Sequence, residues 1–125
     1  MPANTAPSRD MSIRQLSDWA EGQARRLAAN FGLDPGRDRA YFALVQAVKL
    51  GEEVGELHAE VLGALKYQRA DKAGQYGVGT LGGELADVMV CLALLAQALD
   101  VDLAQAVTAK ISHLEARDRP PEPGD

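Results

Sequence analysis

The sequence predicts an all-α protein in which four helices pack as a bundle. Aromatic residues make up only 5% of the 125 residues, and Leu, Ala and Val are frequent, which favours helices over a β-sandwich or barrel. Apolar residues also recur at helical spacing in four segments separated by short connections, the pattern of an antiparallel bundle. With 46% apolar and 25% charged residues, the chain falls among globular proteins rather than disordered ones.

The chain length fits a single domain, which we place at residues 10–117. Residues 1–9 and the DRPPEPGD segment at 118–125 are predicted to be disordered, because they are polar and contain proline. The N-terminal segment lacks the apolar core of a signal peptide. The longest apolar stretch, around 88–99, is too short and too interrupted to span a bilayer.

These features predict a cytoplasmic protein without a membrane partner. A single cysteine excludes an internal disulfide. The net charge of −5 argues against nucleic acid as a partner, because phosphates would be repelled.

The first helix is predicted from about residue 12 to residue 30. Ser12 is followed three residues later by Gln15, the spacing of a capping box. The apolar stripe of this helix consists of Ile13, Leu16, Trp19 (or Ala20), Ala24 and Leu27. The following GLDPGRD segment is predicted to be a loop, because it contains proline and two glycines.

The second helix is predicted from about residue 38 to residue 68, with Asp38 as its cap. Its apolar residues step by four and three and therefore share one face: Leu50, Val54, Leu57, Val61 and Leu65. Residues 69–79 follow as a glycine-rich loop with Lys72 and Tyr76, which either forms a lid over bound phosphates or simply connects two helices.

The third helix is predicted from about 80 to 99, with Thr80 as a possible N-cap, and the fourth from about 102 to 117. The third is apolar nearly all round, so we expect it to be buried on most sides. Asp102 and Gln105 form a second capping-box candidate at the start of the fourth. The stripe of the fourth helix is Leu103, Val107, Ile111 (or Ala106) and Leu114. So much apolar surface in a small unit predicts a homodimer, or a tetramer formed by two such dimers.

Two acidic patterns interrupt these apolar helices. In the segment KLGEEVGELHAE at 49–60, a rotation of 100° per residue places Glu53, Glu56 and Glu60 on one side of the second helix. Lys49 lies on that side as well, and Glu52 lies at its edge. On the third helix, Glu84 and Asp87 are three residues apart and therefore neighbours. Because the rest of that helix is apolar, we expect this pair to point inward or into a cleft.

Carboxylates that share a buried groove repel one another and are costly to desolvate unless cations neutralise them. Mg²⁺ prefers oxygen ligands, and carboxylate pairs on facing helices are a known way to build a metal site inside a bundle. A di-iron site would require Glu-x-x-His spacing, which neither His58 nor His113 provides. The alternative is that both acidic patterns are ordinary solvated helix faces.

The order of these motifs resembles that of a known superfamily. The pattern Glu52-Glu53-x-x-Glu56, followed after 27 residues by Glu84-x-x-Asp87, resembles the all-α nucleoside triphosphate pyrophosphohydrolases. That superfamily includes MazG-like proteins, dimeric dUTPases and dCTPases, and phosphoribosyl-ATP pyrophosphohydrolases. The surrounding EVGEL and ELADV look most like the MazG-like branch, and the resemblance covers roughly residues 40–117. The phosphoribosyl-ATP enzymes tend to carry Tyr-His soon after the motif aspartate, where this chain has Val88 and Met89.

The resemblance implies hydrolysis of a (deoxy)nucleoside triphosphate to the monophosphate and pyrophosphate, as a step in maintaining the nucleotide pool. It implies Mg²⁺ as cofactor, with Mn²⁺ as a substitute, held by Glu53, Glu56, Glu84 and Asp87. Glu52 and Glu53 would be the catalytic pair. In this pair Glu52 is either a further metal ligand or the group that orients and deprotonates the attacking water.

Further residues are candidates for substrate contacts, each with a structural alternative. Basic groups would contact phosphates, an aromatic ring would stack on the base, and a small residue one turn beyond Asp87 would border the sugar. Otherwise these residues are a solvated helix end, a core tryptophan and a core cysteine. A histidine stands where MazG-like proteins carry asparagine, which puts contacts at that position in doubt. The candidates are Lys49, Lys110, Arg117, Trp19, Cys91 and His113.

Two other functions remain open from the sequence alone. One is a non-catalytic regulator that binds nucleotide or metal through the acidic residues. The other is a helical assembly module whose acids are surface charge.

Overall fold

The computed structural model describes residues 10–65 and 78–121, and these residues form an all-α fold, as the sequence predicts. The predicted disordered N-terminus, the predicted loop as far as residue 77 and residues 122–125 lie outside the described residues. The described residues form four helices: α1 (Ile13–Asn30), α2 (Arg39–Ala64), α3 (Val78–Ala98) and α4 (Leu103–Asp118). Helices α1 and α2 both pack against α3, and α4 contacts α1.

Helix α1 begins with the predicted capping box. The Ser12 hydroxyl Oγ accepts a hydrogen bond from the Gln15 backbone N–H at 3.0 Å, and Gln15 Oε1 accepts one from the Ser12 backbone N–H at 2.7 Å. The helix ends in a Schellman turn, in which Gly32 adopts φ +67° and the Leu33 N–H donates to the Ala28 carbonyl at 2.8 Å. Both ends of α1 are therefore satisfied by local hydrogen bonds.

The capping box gives a first testable prediction. Ser12→Ala should lower the free energy of unfolding by about 1 kcal/mol, because the Gln15 N–H loses its acceptor. Urea denaturation of the full chain measures this loss. Ser112→Ala, at an exposed position of α4, is the matched control and should change stability by less than about 0.5 kcal/mol. Equal losses in the two variants would contradict the cap.

Asp38 occupies the N-cap position of α2, as predicted, but its side chain does not form the capping hydrogen bond. No hydrogen bond joins its side chain to the first turn of the helix. Its Oδ2 instead accepts from the Asp34 N–H at 2.8 Å and from Arg37 Nη2 at 2.9 Å. The carboxylate is thus used inside the connecting loop. At the other end, α2 stops at Ala64, four residues before the predicted boundary at 68.

Thr80 is not an N-cap, because α3 begins two residues earlier, at Val78. Thr80 therefore lies inside the first turn, and its Oγ1 donates a hydrogen bond to Glu60 Oε2 at 2.8 Å. This bond joins the start of α3 to the end of α2. The predicted cap of α4 is confirmed, since Asp102 Oδ1 accepts from the Gln105 N–H at 3.0 Å.

The buried core is small and rich in alanine. Ala20 on α1 packs with Ala93 and Leu94 on α3, and a second cluster joins Phe42 and Ala43 on α2 to Ala98 on α3. Small side chains at the contacts allow helix backbones to approach closely. No residue of α4 is fully buried, but Leu103 of the predicted stripe packs against the cluster of Ala20, Ala93 and Leu94, so the stripe reaches the edge of the core at its first residue.

The face of α2 that packs inward is not the predicted leucine–valine stripe. Val61 and Leu65 of that stripe are exposed, and its other members are only partly buried. The buried side of α2 includes Phe42, Gln46 and Glu53. Apolar residues occur on several sides of α2, so one regular stripe does not determine which side contacts α3.

Helix α3 is less buried than its composition predicts. Leu85 is 51% exposed, and Met89 and Leu92 are exposed on the same side, because α1 and α2 cover only part of the helix. From Thr80 to Ala98 the helix is long and apolar enough to cross a membrane, a test that core helices of globular proteins also pass. The prediction that the longest apolar stretch lies around 88–99 and is too short to span a bilayer was therefore wrong, because the apolar segment begins at Thr80 and α3 ends at Ala98.

Candidate metal centre

Three carboxylates meet where α2 packs on α3. Glu53 on α2, and Glu84 and Asp87 on α3, each present one carboxylate oxygen, and these oxygens all lie within 4.8 Å of one another. The i,i+3 spacing on α3 makes Glu84 and Asp87 neighbours, and the packing of α2 brings Glu53 to them. We call these three residues the acid cluster. Its members are on two helices, as the sequence predicts.

The buried carboxylate oxygens of Glu53 and Glu84 point to a cation, while Asp87 lies at the exposed side of the cluster. Glu53 is only 8% exposed, and its Oε2 is buried without a hydrogen-bond partner. Glu84 Oε2 is likewise buried and unpartnered. Buried carboxylate oxygens without a donor or counter-ion are costly. A divalent cation that takes oxygen ligands would remove that cost, so the residues present fit such an ion.

The Glu84 carboxyl is partly buried and lies among other carboxylates. Desolvation raises the pKa of the Glu84 carboxyl above its usual value, and repulsion from Glu56, Asp87, Glu53 and Glu60 raises it further. The protein therefore concentrates negative charge where water is partly excluded. This arrangement favours binding of a positive ion.

Lys49 lies one turn before Glu53 on α2. Its Nζ is 3.5 Å from Glu53 Oε1, and its side chain remains 54% exposed. The hydrogen bond and charge of Glu53 raise the pKa of the Lys49 ammonium. Lys49 thus partly neutralises one oxygen of Glu53, while Oε2 is left unpartnered.

The other predicted acids lie around the cluster rather than in it. Glu56 is exposed but close enough to raise the pKa of Glu84. Glu60 is engaged by Thr80. Glu52 is exposed and lines, together with Lys49, an open cavity of about 310 Å³ whose remaining walls are apolar: Leu44, Val45 and Val48.

Only some of the residues predicted to contact substrate lie close to the acid cluster. Cys91 is buried, and desolvation and then the charge of Glu53 raise the pKa of its thiol, so it adjoins the site. Trp19 is half-exposed on α1. The basic candidates of α4 are exposed, and none forms an ion pair with a cluster carboxylate within the described residues: Lys110, His113 and Arg117. Arg117 donates instead to Asp118 Oδ1 at 3.0 Å.

Gln46 is a polar residue that sequence reasoning missed. It is buried on α2, seven residues before Glu53 and therefore on the same face. The sequence does contain a signal for Gln46, because residues seven apart lie on the same face of a helix and both Gln46 and Glu53 are polar. The predicted apolar face of α2 was defined by its leucine and valine residues alone, so it did not include Gln46.

A further cavity of about 280 Å³ lies near the start of α2 and includes no member of the acid cluster. Residues of α1, the start of α2, the end of α3 and the loop between α1 and α2 line it. Its two arginines are already engaged: Arg25 pairs with Glu21 at 2.6 Å, and Arg39 donates to the Ala98 carbonyl at 2.7 Å. The arginines of this cavity therefore already have partners, unlike the buried oxygens of Glu53 and Glu84 in the acid cluster.

Comparison of the chain with protein-family models, with curated proteins and with solved structures gave no match. The candidate function therefore depends on the residues and geometry of the acid cluster.

Proposed function

We propose that this protein is a MazG-like enzyme that hydrolyses (deoxy)nucleoside triphosphates to the monophosphate and pyrophosphate with Mg²⁺. The observation that carries the proposal is the acid cluster. Glu53, Glu84 and Asp87 approach within 4.8 Å, and two of their oxygens are buried without partners. The order of the two acidic motifs along the chain supports the reaction class.

In the proposed reaction, some acidic residues bind the metal ion and another activates water. Glu53, Glu84 and Asp87 would hold Mg²⁺ or Mn²⁺, and exposed Glu56 would complete the ligand set at the edge facing substrate. Such an ion, when bound, neutralises phosphate charge and lowers the pKa of bound water. Glu52, on the exposed flank beside Lys49, is the proposed group that orients the attacking water and accepts its proton.

We also propose a homo-oligomer, a dimer or a tetramer, acting in the cytoplasm without nucleic acid or membrane as partner. Exposed apolar residues on the outer sides of two helices support it: Tyr41, Leu44, Val45 and Val48 on α2, and Leu85, Met89 and Leu92 on α3. Apolar surface of this extent is typical of subunit interfaces. Analytical ultracentrifugation that found only a 13.3 kDa species would contradict this proposal.

A panel of ribo- and deoxyribonucleoside triphosphates tests the reaction. With Mg²⁺ we expect pyrophosphate and the monophosphate in equal amounts from at least one member, and no product in excess chelator. Absence of pyrophosphate from every member would overturn the proposal. Metal binding without turnover would instead favour a non-catalytic regulator, and absence of both would favour a helical assembly module.

A further inference from the structure

Lys49 is the cation that the fold places against the acid cluster. Within residues 10–65 and 78–121, no other Lys or Arg forms an ion pair with Glu53, Glu84 or Asp87. The Lys49 ammonium lies 3.5 Å from Glu53 Oε1, so the cluster contains one charge of opposite sign. Three carboxylates and one ammonium leave a net negative site.

We propose that Lys49 is the internal counter-ion of the metal-free site, and that a divalent cation competes with its ammonium for Glu53. This inference rests on the metal site of the proposed function but not on hydrolysis. An ammonium and a divalent ion on the same carboxylate repel each other, and the repulsion is stronger where water is partly excluded. Metal binding therefore drives the ammonium away from Glu53 Oε1, and Lys49 lowers the affinity of the cluster for metal.

The position of Lys49 allows this exchange. Its side chain is 54% exposed, while that of Glu53 is 11% exposed, so the ammonium reaches water and the carboxylate does not. The flexible four-carbon stem lets the head group turn outward without movement of α2. An ion pair between partners one turn apart on a helix is weak, so releasing it costs little.

Direct Mn²⁺ binding, measured by electron paramagnetic resonance and calorimetry without nucleotide, tests the inference. Lys49→Met should bind Mn²⁺ about two- to fivefold more tightly than wild type, because the ion pair that it removes is a weak one. Lys49→Arg keeps the charge and should retain nearly wild-type affinity. Arg26→Met makes the same change in net charge on α1, where Arg26 donates to Gln23, and should leave the affinity unchanged.

Two further measurements separate competition from a structural role. Without metal, Lys49→Met should melt at a lower temperature than wild type, and Mn²⁺ should reverse the difference. In a metal-free Glu53→Gln background, Lys49→Met should no longer lower the melting temperature, because the shared carboxylate is gone. Lys49→Gln provides a second neutral variant if Lys49→Met fails to fold.

Unchanged or weaker Mn²⁺ binding by the neutral Lys49 variants would overturn the inference. So would the absence of Mn²⁺ binding in both wild type and variants, since a cluster freed of its ammonium should bind most tightly. A protein that binds Mn²⁺ as expected but releases no pyrophosphate would contradict the proposed hydrolysis and leave the role of Lys49 standing.

Discussion

Glu53→Gln is expected to lower Mg²⁺-dependent pyrophosphate release by about a hundredfold or more, while the metal-free protein becomes no less stable. Residues that merely contact metal ligands already change metal affinity or activity by about 10–100-fold, so loss of a ligand should have at least that effect. Stability should not fall, because a neutral amide is easier to desolvate than a carboxylate buried beside Glu84 and Asp87, and this gain outweighs loss of the weak ion pair with Lys49. A loss of activity without a loss of stability distinguishes a site residue from a residue of the fold.

Three measurements check this expectation. Pyrophosphate release gives the activity, and calorimetric melting in chelator gives the metal-free stability. Melting at increasing Mg²⁺ concentration then shows whether metal binding stabilises the fold. The melting temperature of wild type should rise with Mg²⁺, and that of Glu53→Gln should not. Glu115→Gln, at an exposed position of α4, is the matched control and should behave as wild type in all three. Full activity of Glu53→Gln would exclude Glu53 from the site.

Ala20→Leu should destabilise the fold by about 1–3 kcal/mol. Ala20 is fully buried on α1 and packs directly against Ala93 and Leu94 of α3, so a larger side chain must push the helices apart. Alanine and leucine both have high helix propensity, so the effect reports packing rather than the helix itself.

Urea denaturation measures this effect. Ala29→Leu places the same change at an exposed position of α1 and should alter stability by less than about 0.5 kcal/mol. Equal destabilisation by Ala20→Leu and Ala29→Leu would contradict the packing of α1 on α3.

The capping bonds of Ser12 and Asp102 were readable from the sequence, whereas the bond expected from Asp38 does not form and features that depend on packing were not readable. The bonds between Ser12 and Gln15 involve residues three apart, so the spacing alone predicts them. The side of α2 that meets α3 depends on a rotation that no local pattern determines. Thr80 illustrates the same limit, because it looks like a cap but bonds to Glu60 on another helix.

The candidate site divides in the same way. Glu84 and Asp87 are neighbours through helix geometry, and the sequence predicts them as a pair. Which acids of α2 join them depends on how α2 is turned, and the structure brings Glu53 into the cluster while Glu56 remains exposed beside it. The predicted contacts of α4 required α4 to approach the cluster, but α4 packs on α1.

A crystal soaked with Mn²⁺ and measured at the manganese absorption edge would show whether the acid cluster binds a divalent ion. We expect an anomalous peak bounded by carboxylate oxygens of Glu53, Glu84 and Asp87, at about the 2.1 Å typical of such small divalent ions. Manganese bound only elsewhere, or these three carboxylates splayed apart with no peak between them, would contradict this expectation.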